Sequence, residues 1–274
     1  MPKEFLMLRI LFCFIIIFPK LGLAIFHFRP INYDHLTIES NDKLDEETNF
    51  PLGDLSTVGI LLEKNDKTKT VCTGVIIAPR IILSAAHCTT ETKNAQIYFD
   101  QIKKSDYFFN SLKIKSSNVL RWIPHPDYKG NQEDSIDLGI FILKKNIEEN
   151  KNIKFARFYP EHYQFNFYDQ LHRIGMGRRN DKNIKNYFLE FFYEQKGEYI
   201  LAKDTEGQGG DSGGPIFILQ NEQALLIGIH TGRAIDDNEQ PIGYSFIMPI
   251  TTLKARNWIE EIKSEFLTHP KFVR

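Results

Sequence analysis

Three short stretches of this 274-residue chain bring together side chains capable of nucleophilic chemistry. Ser84-Ala85-Ala86-His87-Cys88 supplies an imidazole. Ser135-Ile136-Asp137-Leu138-Gly139-Ile140 supplies a carboxylate that runs straight into apolar residues. Gly210-Asp211-Ser212-Gly213-Gly214-Pro215 supplies a hydroxyl between glycines. Glycine lets the backbone turn sharply and lets neighbouring N–H groups point at whatever the hydroxyl attacks. A glycine-rich turn holding a serine is ordinary by itself, but histidine, aspartate and serine in that order are the parts of a Ser-His-Asp triad. A serine hydroxyl is a weak nucleophile at neutral pH and needs an adjacent base. Asp211 makes a separate demand, since a carboxylate in a buried loop needs a cationic partner.

The elements available to position these groups are short β-rich runs separated by polar loops. Val58–Leu62, Val71–Ala78, Ile81–Ser84, Gln96–Phe99, Val119–Ile123 and Leu138–Leu143 form the first half of the set. His172–Gly175, Tyr187–Tyr193, Tyr199–Ala202, Pro215–Leu219, Ala224–His230 and Gly243–Met248 complete it. A dozen such runs predict an all-β fold of antiparallel barrels or sandwiches. Near the end, Leu253, Trp258, Ile259, Ile262 and Phe266 recur at spacings near three and four, which predicts an amphipathic helix. Lys144–Lys154 and Arg178–Asn186 read as solvated loops, and no internal repeat is present.

With 42% hydrophobic residues the chain can bury one large core or two small ones. Its net charge of −1 gives no reason to expect a nucleic acid or a membrane surface as partner. At the N-terminus Lys3 and Arg9 precede the apolar run Ile10–Phe18, and Gly22-Leu23-Ala24 supplies small residues. Residues 1–24 therefore read as a secretory signal, with an uncleaved anchor as the alternative. Residues 25–50 carry Asp42, Asp45, Glu46 and Glu47 and read as a propeptide or flexible leader. Cys13 leaves with the signal, so Cys72 and Cys88 remain as a pair that an oxidising compartment joins in one disulfide.

Taken together, the three motifs resemble those of the chymotrypsin/trypsin-like serine peptidases, from about Ser56 to the C-terminal helix. Cys72-Thr73-Gly74-Val75-Ile76 resembles the family's cysteine-containing strand. Trp122-Ile123-Pro124-His125-Pro126 resembles the segment leading to the aspartate, and Arg173-Ile174-Gly175-Met176-Gly177 the strand that opens a second barrel. The resemblance implies two packed six-stranded antiparallel β-barrels with a C-terminal α-helix, in a peptidase domain spanning 51–274. It implies His87 as base, Asp137 rather than Asp134 as its orienting acid, and Ser212 as nucleophile. Gly210 and Ser212 become oxyanion-hole donors, and Cys72–Cys88 a brace for the histidine loop. A secreted monomeric endopeptidase acting on proteins or peptides follows, without cofactor or metal. His125 and His162 stand alone and read as structural.

Departures from the family pattern are equally informative. Gln208 stands where a pocket-bracing cysteine would be. No Ile-Val-Gly-Gly supplies the new amino terminus that the resemblance assigns to the activation-linked Asp211, and a Leu44 terminus freed after Lys43 is a weak substitute. Glu206 lies at the position that selects basic substrate residues. Gly228-Ile229-His230-Thr231-Gly232-Arg233 resembles instead the glutamyl-specific branch, as Asp204-Thr205 and Gly243–Ile247 do loosely. His230 and Arg233 would then favour acidic residues, or be neutralised by Glu206 to leave a mild preference. A non-catalytic homologue acting as a binding module is the rival of a different class. An α/β-hydrolase esterase fails on the order of its triad.

Overall fold

The computed structural model describes residues 53–99, 102–103, 116–130, 134–149, 153–160, 163–167, 169–179, 182–183, 185–203, 207–236 and 240–268. The signal and leader readings over 1–50, Lys43 and Leu44, His162 and the Asp204-Thr205-Glu206 stretch lie outside them. After one helical turn, α1 (Gly53–Ser56), the chain enters a run rich in β-branched residues. Its strands are β1 (Thr57–Lys64), β2 (Lys69–Ala78), β3 (Ile81–Ser84), β4 (Thr92–Tyr98), a two-residue β5 (Ile102–Lys103), β6 (Ser116–Pro124) and β7 (Gly139–Leu143). All but β5 close a barrel in the order β1-β2-β3-β7-β6-β4. Its filling is aliphatic: Ile60, Leu62, Val75, Ile82, Ile97, Ile140 and Ile142 are all fully buried.

The second half contributes β8 (Arg157–Phe158), β9 (Gln170–Gly175), β10 (Arg178–Arg179), β11 (Lys182–Asn183), β12 (Asn186–Lys196), β13 (Tyr199–Lys203), β14 (Pro215–Gln220), β15 (Gln223–Ile235) and β16 (Pro241–Pro249). These form the order β14-β9-β12-β13-β16-β15, and a β14–β15 pairing closes it into a second six-stranded barrel. Strand β8 adds in parallel to the outside of β15. The two-barrel fold implied by the resemblance is thus the fold observed, and barrels, not sandwiches, are the outcome of the strand pattern. One loop reading is corrected. Within Arg178–Asn186, β10 pairs with β11, and β11 pairs with β5, with Lys182 in backbone register with Lys103. Two-residue strands are too short to show any alternation.

The last element, α2 (Leu253–Thr268), buries Ala255, Trp258, Ile259 and Ile262. Leu253 is 58% exposed, so the apolar stripe begins one turn later than the spacing suggests. Trp258 meets His125 edge-on at 4.9 Å. His125 is itself buried and its Nδ1 accepts the Asp127 N–H at 3.1 Å, a structural arrangement.

Candidate active site

Register brings the histidine and the aspartate together. Strands β3 and β7 pair with Ser84 opposite Gly139, so the residues just after β3 and just before β7 emerge at one end of the first barrel. His87 occupies a single 3-10 turn, Ala86–Cys88, lying against β7. A Cβ on Gly139 would come within 2.7 Å of the Ala85 carbonyl oxygen, so only glycine permits that approach. Asp137 Oδ2 lies 2.8 Å from His87 Nδ1, and Oδ1 accepts the His87 backbone N–H at 2.9 Å. Two bonds on one carboxylate fix both the ring and the turn that carries it. Asp134 instead is exposed and pairs with Lys129. Burial first, and then the Asp137 charge, pushes the neighbouring Tyr128 hydroxyl up to about 12.

Behind the turn, Cys88 is joined to Cys72 on β2, with Cα atoms 6.3 Å apart. Both sulfurs are used in that bond, which leaves neither to ligate a metal beside His87.

Ser212 enters from the second barrel, in the loop before β14, and this loop hangs on the first barrel through Thr73. The Thr73 backbone N–H donates to the Ser212 carbonyl at 2.7 Å. Its hydroxyl donates to the Gly210 carbonyl at 2.7 Å and accepts the Met176 N–H at 2.7 Å. Ser84 Oγ in turn donates to the Thr73 carbonyl at 2.7 Å. Gly213 has φ +85°, and a Cβ there would lie 2.0 Å from Ser84 Oγ, so the nucleophile's neighbour must be glycine. The sequence shows Thr73 only as a neighbour of Cys72; its role depends on a loop 137 residues away.

Inside the loop the amides divide into two sets. Asp211 N–H donates to Gln208 O, Gly213 N–H to His230 O, and Gly214 N–H to Asp211 O, at 3.0, 2.7 and 2.9 Å. The N–H groups of Gly210 and Ser212, and the Ser212 hydroxyl, have no hydrogen-bond partner among the described residues. Asp211 is fully buried. It accepts the Gly177 N–H at 2.6 Å and the Gln208 N–H at 2.8 Å. Among the described residues no cation pairs with it. Gly175 and Gly177 must be glycine, because a Cβ on either would come within 2.3 Å of Asp211 Oδ1.

The residues singled out for a specificity pocket lie along β15, which bulges between His230 and Gly232 and again between Arg233 and Ile235. Bulges re-aim side chains beside functional sites. Arg233 is exposed, Thr231 and Gly232 are half-buried, and the Thr231 hydroxyl donates to the Phe246 carbonyl at 3.2 Å. The space where a Gly232 Cβ would sit is open for 4 Å. His230 is buried, and beneath it lies a group that motif reading does not find. Arg173, fully buried on β9, places Nη1 3.1 Å from His230 Nε2 and 3.3 Å from Nδ1. Its Nε is 2.7 Å from Glu190 Oε1 on β12, and the Ser245 hydroxyl on β16 donates to Glu190 Oε2 at 2.8 Å. The Phe188 ring covers the guanidinium at 4.2 Å. Burial first, and then the Arg173 charge, holds His230 well below the ordinary imidazole range. The ring is therefore neutral, and the cation suggested for this position lies one layer deeper, at Arg173.

A family model described as Trypsin matches residues 56–259. Serine protease 28 of Mus musculus is 25% identical over 195 residues, which are 61% of this chain and 69% of that protein. Vitamin K-dependent protein C of Mus musculus is 25% identical over 221 residues, 70% of this chain but only 46% of its own length. HL collagenase, a solved structure, superposes with a TM-score of 0.60 at 21% identity, covering 78% of this chain and 96% of the other, and so shares the fold.

Proposed function

Since the chain belongs to the trypsin family of serine endopeptidases, we propose that it hydrolyses peptide bonds through an acyl-enzyme, with Ser212 as nucleophile, His87 as base and Asp137 as orienting acid. The observation that carries this reading is the double contact on Asp137, which takes both the ring N–H and the backbone N–H of His87. With the Nδ1 proton committed to Asp137, the ring lone pair is on Nε2, the atom that accepts a proton from serine in this chemistry. As Ser212 Oγ attacks the substrate carbonyl carbon, His87 takes the hydroxyl proton and then delivers it to the leaving amine. Water repeats the cycle on the ester. The unused N–H groups of Gly210 and Ser212 are the oxyanion donors, a role in which one donor typically contributes on the order of 3 kcal/mol to the barrier. Asp211 is read as the activation-linked residue, the partner of a freed amino terminus, and its bonds to Gly177 and Gln208 hold the loop that presents those donors.

The pocket is read as selective for acidic residues before the scissile bond. His230, Arg173 and Arg233 gather donors and positive charge there, and a substrate carboxylate is their natural complement. The chain is further read as a secreted, monomeric peptidase whose residues 1–24 are a signal and 25–50 a leader preceding the domain over 51–274. Ser212→Ala should abolish both turnover and labelling by a serine-directed phosphonate while leaving the melting transition unchanged. Wild-type protein that resists labelling after proteolytic activation would instead be a binding module. Cleavage of a mixed peptide library should fall after Glu and Asp; predominant cleavage after Lys or Arg overturns the acid-selective reading in favour of Glu206.

A further inference from the structure

Nothing in the hydrolytic chemistry uses the Arg173–Glu190 pair, yet it occupies the centre of the second barrel. Both side chains are at most 1% exposed. Removing two charges from water carries a large desolvation cost, and apolar residues of similar volume would fill the same space at least as well. The pair is also asymmetric. Glu190 takes the Nε edge of the guanidinium, whereas the Nη1 edge is turned to His230. Nη1 lies almost equally far from the two ring nitrogens, so the guanidinium sits against the ring as a whole. A guanidinium has only donors and disfavours a second proton on that ring, and the neutral ring keeps one N–H donor. Among the described residues the charged and titratable groups facing His230 are Arg173, His87 and Arg233, and the acid paired with this cluster, Glu190, lies behind Arg173.

We propose that Arg173 is a positioning residue for substrate selection: it fixes His230 as a neutral hydrogen-bond donor and supplies the positive charge that draws an acidic substrate side chain. The inference rests on the acid-selective reading of the pocket. A carboxylate bound at His230 completes a series of alternating charge and polarity, from Glu190 through Arg173 and His230 to the substrate. Ser245 steadies the far end through Glu190. Because the donor is a neutral ring with a permanent cation behind it, selectivity does not depend on protonating a histidine.

The test is kcat/KM on peptides identical except for Glu, Gln or Lys before the scissile bond, with wild type and Arg173→Met/Glu190→Met. The double replacement removes both members of the ion pair together. Wild type should prefer Glu to Gln at least tenfold, and the double variant should lose at least tenfold of that ratio, mainly through KM for the Glu peptide. The ratio is internal, so a smaller folded fraction scales both peptides alike and cannot mimic the effect. Should that variant not fold, Arg173→Gln/Glu190→Gln keeps hydrogen-bonding groups while removing both charges, and should lose the same ratio. A Glu preference that survives in whichever variant folds overturns this inference alone. A wild type with no Glu preference overturns it together with the acid-selective reading.

Discussion

The two barrels share a strand count and differ in what they bury. The first is filled by Ile60, Leu62, Ile82, Ile97, Ile140 and Ile142, and among the described residues its buried polar side chains are hydroxyls apart from Asp137 at one rim and His125 against the helix. The second encloses Arg173, Glu190, His230 and Ser245. On the proposed function, this difference follows a division of labour. His87 and Asp137 need only a rigid rim, and close-packed aliphatic side chains provide one. A pocket that distinguishes substrates by charge needs charge of its own, held where water does not screen it. The two cylinders are tied together at the Thr73–Ser212 seam.

The contrast is broken most severely at the rim of the first barrel. Asp137→Asn should lower kcat by about four orders of magnitude by releasing the His87 tautomer, with little change in melting; hydrolysis assays and calorimetry on the same sample check both. Next in size is a pair of core tests read by denaturant unfolding. Ile82→Ala should cost about 2–5 kcal/mol. Arg173→Met alone, which strands Glu190, should cost about 3–5 kcal/mol, whereas Arg173→Met/Glu190→Met should be close to neutral or stabilising. Equal losses in the single and double variants would erase the proposed distinction between the cores.

Acid should act on the second barrel in particular. Burial lowers His172 to about 4 and holds His230 well below its ordinary range, so the unfolded chain binds protons that the folded chain does not. Stability is therefore full above pH 6.5 and falls as pH drops toward 4, on the order of 3 kcal/mol from His172 alone. Unfolding midpoints measured across that window should show the slope, and His172→Gln should flatten it. The smallest effect belongs to the seam. Thr73→Val removes the bonds to Gly210 and Met176 and should cost about 1–3 kcal/mol, with a fall in kcat larger than any change in KM.

Much of this was legible in order and alternation. Ile81–Ser84 and Pro215–Leu219 were recognisable as strands because their apolar runs are bounded by turns, and the triad motifs stand beside such runs. Thr73 and Arg173 were readable only as parts of strands. What makes each matter is a neighbour brought in by barrel closure. Arg173 pairs along the ladders with Phe188 and Ile216, but its guanidinium crosses to His230, 57 residues on. Neither periodicity nor motif encodes a contact across the inside of a barrel. The β10–β11–β5 ladder escaped for a simpler reason, since a run of two residues has no period.

The disulfide and the Thr73 amide occupy consecutive residues of one strand, and together they shorten a distance that the chain makes long. Cys88 and Ser212 are 124 residues apart in sequence. Through Cys72 and Thr73, however, the turn holding His87 connects to the Ser212 carbonyl by one covalent bridge and one hydrogen bond. His87 and Ser212, the proposed base and nucleophile, are thus referenced to the same two residues of β2. For the proposed reaction, the gap a proton must cross is set through a single strand.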